Sequence, residues 1–146
     1  MFDDPFVGQY ERSLDSKFRI VLPKKYRVAL GRQVYLARAR NSLAVYSAAQ
    51  YKENVQRLIA RDRNNELTPG TRLAFGATSV SVEPDDKTGR ITLPPELREH
   101  ANLTNEVIVA GVLTHVEIWE KSAFEEFQAK HLNVVQEQFI AGGEFN

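Results

Sequence analysis

Polar and apolar residues alternate over Arg19-Ile20-Val21-Leu22 and again over Arg90-Ile91-Thr92-Leu93, the two-residue period of a half-buried strand. Each run stops at a proline, Pro23 or Pro94, which has no N–H to give to a ladder. Pro94-Pro95-Glu96-Leu97-Arg98 then predicts a short helix, with proline in its first turn and an acid near the positive end of the dipole. Elsewhere the period lengthens. Tyr51, Val55, Leu58 and Ile59 recur at helical spacing behind Ser47, which predicts a helix over 48–63 capped by that serine. A second long helix, carrying Phe124, Phe127 and His131, is expected behind a Ser122 cap. The run from Asn64 to Thr71 is rich in turn formers and is the best linker candidate.

The pattern repeats. Shifted by 71 residues, Asp15 to Arg27 lies over Asp86 to Arg98 with six of thirteen positions identical: Asp, Arg, Ile, Leu, Pro and Arg. Downstream, Tyr35-Leu36-Ala37 answers Val107-Ile108-Val109, and Leu43-Ala44-Val45-Tyr46 answers Val116-Glu117-Ile118-Trp119. Each copy reads as a strand, a turn, a short strand ended by proline, a short helix, a β-hairpin and a longer helix. The expected organisation is a first repeat over 6–64, a linker region over 65–76, a second repeat over 77–132 and a partly helical tail over 133–146. Units of about 60 to 70 residues close a core poorly alone, so the two should share one. The expected fold is α+β and mainly β, a pseudo-twofold barrel with peripheral helices that presents its two Asp-x-x-x-Arg turns as an equivalent pair.

Composition changes this picture in two ways. The 146 residues contain no Cys, which excludes a disulfide framework, a thiolate metal site and a thiol nucleophile. Met1-Phe2-Asp3-Asp4-Pro5 opens acidic, and no run of about 18 apolar residues is present, so a cytoplasmic protein with no membrane partner is expected. The net charge of zero first argues against nucleic acid, but it is a sum of unlike halves. Residues 1–73 hold 14 Lys+Arg and 7 Asp+Glu, whereas residues 74–146 hold 5 and 12. Such asymmetry suggests a surface facing a polyanion or an assembly partner.

The Asp15-to-Arg19 turn has a bland reading: Asp accepts nearby backbone N–H groups, and the Arg pairs with that carboxylate or with its counterpart in the other copy. Its surroundings favour more. Residues 12–27 hold Arg12, Lys17, Arg19, Lys24, Lys25 and Arg27 against the single acid Asp15, a basic ridge of the kind that serves phosphate backbones. Arginine also has the fork that reads guanine O6 and N7 in a major groove. The second copy keeps Lys87 and Arg90 but adds Glu83, Asp85, Asp86, Glu96 and Glu99, so the first copy should lead on DNA. The acidic copy is then free to meet the basic copy of a neighbouring subunit head to tail.

Phe6 to Arg27 resembles the amino-terminal signature of the MraZ family, and Phe75-Gly76-Ala77, Asp86 to Arg98 and Val116-Glu117-Ile118-Trp119 resemble its second, over roughly 6–127. The resemblance implies tandem AbrB-like halves folded as a swapped-hairpin barrel. It implies a nucleoid-associated bacterial transcriptional regulator, a repressor by expectation, of the division and cell-wall gene cluster and its own promoter. Its partners would be double-stranded promoter DNA, read as short G-rich direct repeats, and further copies of itself in a ring. The family's Asp-x-x-x-Arg positions fall on Asp15 and Arg19, then Asp86 and Arg90, and its basic DNA loop on Lys17 and Arg19, with Lys87 and Arg90 in the second copy. The family's usual glycine is replaced by Phe18, while Gly89 keeps it. Either the first turn differs in conformation or Phe18 is an exposed aromatic placed for a contact.

An enzyme is the first rival. His100, His115 and His131 lie 15 and 16 residues apart, no His-Glu-x-x-His or phosphate-loop pattern occurs, and Asp85-Asp86 reads as a turn. No catalytic residue, cofactor or metal is expected. The second rival is an AbrB-like antitoxin, whose mark is a long disordered tail; residues 132–146, with Val134, Val135, Phe139 and Ile140, read instead as a helix continuing or docking on a neighbour.

Overall fold

A strand needs a partner for its backbone polar groups, and the first strand of each copy finds that partner in the other copy. The structure, a computed structural model, describes residues 4–141 and Gly143; Asp3 of the acidic opening and the end of the predicted tail, 144–146, lie outside them. The first copy is β1 (Gln9–Ser13), β2 (Arg19–Val21), α1 (Lys24–Leu30), the hairpin β3 (Val34–Arg38) and β4 (Leu43–Ser47), and α2 (Ala48–Arg63). After α3 (Thr71–Thr78), the second copy is β5 (Val80–Val82), β6 (Arg90–Thr92), α4 (Pro95–His100), β7 (Glu106–Gly111), β8 (Val116–Glu120) and α5 (Lys121–Val135). A π-helical turn over Gln136–Ile140 follows.

The strands form a six-stranded antiparallel sheet, ordered β1-β7-β8-β4-β3-β5, and a separate ribbon of β2 and β6. That order reads the same from both ends when each strand is replaced by its repeat equivalent. β1 pairs with β7 of the second copy, and β5 pairs with β3 of the first. In the ribbon Ile20 stands opposite Ile91, its own counterpart at the 71-residue shift. A pseudo-twofold relation therefore runs through both sheets.

The expected barrel does not close. Among the described residues β1 and β5 remain the edges of the large sheet. The chain leaves that sheet at the turns after β1 and β5, so β2 and β6 lie across the core as a ribbon of their own instead of bridging the edges. The core is single, as expected: Ile20, Leu22, Leu36 and Val45 of the first copy cluster with Ile91, Leu93, Leu97 and Val107 of the second. Tyr26 anchors the entry to β1, donating its hydroxyl to the Gly8 carbonyl at 3.0 Å and to that of Val7, with its ring set edge-on to Phe6 and Tyr10. Gly111 makes room for that entry, since a Cβ there would lie 2.5 Å from the Phe6 carbonyl carbon and the Val7 nitrogen.

Local expectations fare unevenly. Ser47 caps α2, its hydroxyl accepting from the Gln50 N–H at 3.1 Å. Ser122 does not cap α5; the Glu120 carboxylate does, accepting the N–H groups of Ser122 and Ala123 at 2.6 and 3.2 Å. Part of the predicted linker is helical, because α3 starts at Thr71, directly after a left-handed Gly70. It is held by Phe75, stacked on Tyr51 of α2, which itself stacks on Tyr35 of β3 at 4.3 Å between centroids.

Two outcomes follow from the shared core. Ile20→Ala, at a side chain 1% exposed, should cost about 2–5 kcal/mol in urea unfolding. Unfolding followed at Trp119, in the second copy, and by backbone dichroism should give one coincident transition; two separated transitions would show halves that fold alone.

Candidate nucleic-acid interface

The turn after β1 is built on Asp15. Its backbone N–H donates to the Arg19 carbonyl at 3.0 Å and its carbonyl accepts from Phe18 at 3.0 Å, which closes the loop. Its side chain then takes the donors left inside: Oδ1 accepts the N–H groups of Lys17 and Arg19, each at 2.9 Å. Oδ2 accepts the Arg19 Nε at 2.7 Å and stands 3.8 Å from the Arg90 Nε of the other copy. Both pairings considered from the sequence therefore occur at one carboxylate. The Arg19 backbone N–H first, with the Lys17 N–H and the Arg19 side chain, holds the Asp15 carboxyl below its ordinary 3.8 against the opposing effect of desolvation.

The second turn has the same closure with one more residue in it. Asp85 donates its N–H to the Arg90 carbonyl at 2.9 Å and accepts from Gly89 at 2.8 Å, and its Oδ1 takes the N–H groups of Lys87 and Thr88 at 2.9 Å each. The turn-forming acid is thus Asp85, whereas Asp86, which the 71-residue shift selects, is exposed. Four residues separate Asp85 from Arg90 against three between Asp15 and Arg19, and the Asp-Asp doublet conceals the extra one. Backbone N–H donors, that of Thr88 first, hold the Asp85 carboxyl below its ordinary value as well.

Between the turns lies the ribbon. Ile20 and Ile91 point into the core, so Arg19 and Val21 on one strand, and Arg90 and Thr92 on the other, face outward. Three residues of strand span roughly 10 Å, so Arg19 and Arg90 converge on Asp15 along one short ridge, with Lys17 and Lys87 exposed in the turns at its ends. Arg19 uses only its Nε among the described residues; its two terminal nitrogens keep their donors.

The other predicted cations are elsewhere. Arg12 donates its Nε to the Val21 carbonyl at 3.3 Å, and Arg27 donates its Nε to that of Leu22 at 3.0 Å. Lys24 and Lys25 are exposed in the first turn of α1, where the dipole disfavours cations, and they line a groove of about 700 Å3 with Phe6, Tyr26 and Gln50. None of the four ridge cations lines that groove.

Phe18 resolves the substitution noted in the sequence. It takes the same left-handed backbone as Gly89, φ 58° against 71°, so this position keeps its conformation although the first turn is one residue shorter. A non-glycine residue there costs about 1–2 kcal/mol. The Arg98 guanidinium lies over its ring at 3.7 Å, a cation–π contact of about 0.5–1 kcal/mol that offsets about half of the cost.

One polar cluster escaped sequence reasoning. Glu117 accepts from Ser42 at 2.7 Å and from the Trp119 Nε1 at 2.9 Å, and it pairs with the His115 Nε2 at 3.1 Å. Burial pushes its carboxyl up, but the His115, Ser42 and Trp119 hydrogen bonds outweigh that and hold it below its ordinary value. The cluster fixes β8 to the β3–β4 connection; its members are scattered in sequence, so no motif announced it. His100 bonds to the Ala39 carbonyl and His131 to that of Phe127. Among the described residues no three His, Cys, Asp or Glu gather as a metal would need, and no helix is long and apolar enough to cross a membrane.

Because the native Asp15 carboxyl titrates below its ordinary value, the contribution of its ionised form is complete above about pH 5. It is lost as pH falls through the lowered native value. The stability difference between the protein and Asp15→Asn should therefore be constant from pH 7 to about pH 5 and shrink below, in urea titrations at each pH.

The family profile described as "MraZ protein, putative antitoxin-like" matches residues 6–70 and 73–139, one stretch for each structural copy. A protein of Caldanaerobacter subterraneus subsp. tengcongensis named Transcriptional regulator MraZ is 39% identical over 122 residues, covering 83% of this chain and 85% of its own. One of the same name from Mycolicibacterium gilvum is 34% identical over 140 residues, covering 95% and 94%. Repeat for repeat and over most of its length, the chain belongs to the MraZ family.

Proposed function

We propose that the protein is a sequence-specific DNA-binding transcriptional regulator that uses the first turn and the ribbon as its reading surface. The observation that carries this reading is Arg19: an outward arginine whose Nε is fixed by Asp15 while its terminal nitrogens remain free to form a bidentate pair. That is the group required to read guanine O6 and N7, held in place before binding. The name Transcriptional regulator MraZ borne by the relatives supports the class of function.

In this reading Arg19 contacts a base edge and Lys17, Arg90 and Lys87 place phosphates along the ridge. Lys24 and Lys25 extend the phosphate contacts from the start of α1. Arg12 and Arg27 support the backbone beneath the turns, in keeping with their bonds to Val21 and Leu22. The halves are of the AbrB-like kind, each lending its first strand to the other, a reading supported by the β1–β7 and β3–β5 pairings. Several copies form a ring, and the turns together engage short G-rich direct repeats in the chain's own promoter, ahead of division and cell-wall genes, at the nucleoid in the cytoplasm. Each turn binds weakly, and the array makes the affinity useful. Exposed Val28 and Leu73, 73% and 75% accessible, are apolar surface consistent with further association.

Salt-titrated binding to a duplex from the protein's own upstream DNA, beside a scrambled duplex, tests this. Arg19→Ala should cost about 1–3 kcal/mol per engaged site and erase the preference for the specific duplex; unchanged binding would remove Arg19 from its role. Lys24→Ala should weaken both duplexes alike and reduce the salt slope by about one. Capture of a stoichiometric small protein, with no duplex shift, would favour the antitoxin-like reading instead.

A further inference from the structure

Arg27 and Arg98 are repeat equivalents at the 71-residue shift, and the fold gives them one geometry. Each donates its Nε to the leucine carbonyl five residues before it, Arg27 to Leu22 and Arg98 to Leu93, both at 3.0 Å. Each guanidinium then reaches across to the other copy's turn, at the left-handed residue. Arg98 stacks on the Phe18 ring at 3.7 Å. Arg27 lies directly over Gly89, so closely that a Cβ there would meet its Nη1 at 2.7 Å and its Cδ at 3.1 Å. The two turns are therefore covered by equivalent arginines, one over an aromatic face and one over bare backbone.

The first turn is held on two sides. The Leu93 N–H donates to the Phe18 carbonyl at 3.0 Å, while the Leu93 carbonyl fixes the arginine that covers the Phe18 ring. Backbone and side chain of Phe18 are thus both tied to the same residue of the second copy. Phe18 is otherwise 45% exposed, so this stack is what defines where its ring sits.

We propose that Arg98 is a positioning residue for DNA recognition: through its stack on Phe18 it fixes, from the second half, the turn by which the first half presents Lys17 and Arg19. The proposal rests on the reading of that turn as DNA-facing. It gives the acidic half a part in the reading surface beyond the phosphate contacts of Arg90 and Lys87, and it explains how an aromatic residue replaces glycine at a left-handed position.

A double-mutant cycle on the full-length protein decides it. Phe18→Leu and Arg98→Met each remove the stack and keep much of the side-chain bulk. Each should speed amide exchange at Lys17 and Arg19 by about three- to tenfold and weaken binding to the upstream duplex by a similar factor. The double variant should add little to either single one, Phe18→Trp should retain wild-type values, and the salt slope of Arg98→Met should equal that of the wild type. Unchanged exchange in Arg98→Met would overturn the proposal, as would additive losses or a salt slope lowered by about one, the mark of a phosphate contact. Exchange is read on the protein alone. If no variant and no wild-type protein binds the duplex, the DNA reading fails while the exchange cycle still decides the clamp.

Discussion

Ile20 opposite Ile91 is the contact on which the molecule turns. The β2–β6 ribbon exists only when both copies are present, and the same is true of β1 on β7 and β5 on β3. A half taken alone would leave its first two strands unpaired and its core residues open to water, a poor prospect for a unit of about 60 to 70 residues. Fold and site obey this one constraint. The turns are the connections by which β1 and β5 leave the large sheet to form the ribbon, so wherever the ribbon pairs, the turns stand at its two ends.

A twofold scaffold does not make a twofold surface. Asp15 binds Arg19 and approaches Arg90, so two arginines of different copies converge on one carboxylate. Asp85 binds backbone N–H groups but no arginine, and Asp86 stands beside it unabsorbed by the turn. Phe18 under Arg98 and Gly89 under Arg27 continue the divergence. Duplication supplied two equivalent frames, and the side chains made one cationic and the other acidic.

What could be read from the sequence was what local chemistry decides. The alternation at Arg19 to Leu22, the stops at Pro23 and Pro94 and the Ser47 cap each depend on neighbours within four residues. The repeat placed the second copy's elements by analogy with the first. Misreadings arose where a choice was made at a distance or by a single residue. Thr68-Pro69-Gly70 signals a turn correctly, but α3 begins right after it and is held by Phe75 on Tyr51. Glu120 reaches the free N–H groups of α5 before Ser122 can, and nothing local ranks one oxygen above the other. An ungapped shift cannot see one added residue behind Asp85-Asp86. The basic ridge over 12–27 was legible as charge, but not the turning of Arg12 and Arg27 onto backbone carbonyls, which depends on where Val21 and Leu22 end their strand.

The opposed charges of the two halves take a different meaning once the strands are exchanged. With β1 beside β7 and β5 beside β3, strands of the basic and acidic copies are interleaved in one sheet. At physiological salt a phosphate feels charges within about 8 Å, and the local set is what counts. Around the first turn Arg19 and Arg90 converge on Asp15, with Lys17 exposed beside them, and that carboxylate is already engaged. Around the second, Lys87 faces Asp85 and Asp86, and the adjoining groove sets Arg27 and Arg32 against Glu83 and the same two acids. Near the first turn a polyanion meets net positive charge, and near the second it meets acids that balance the cations. The neutral total of the chain thus contains a directional surface, with net positive charge at the first-turn end of a three-residue ribbon and near balance at the other.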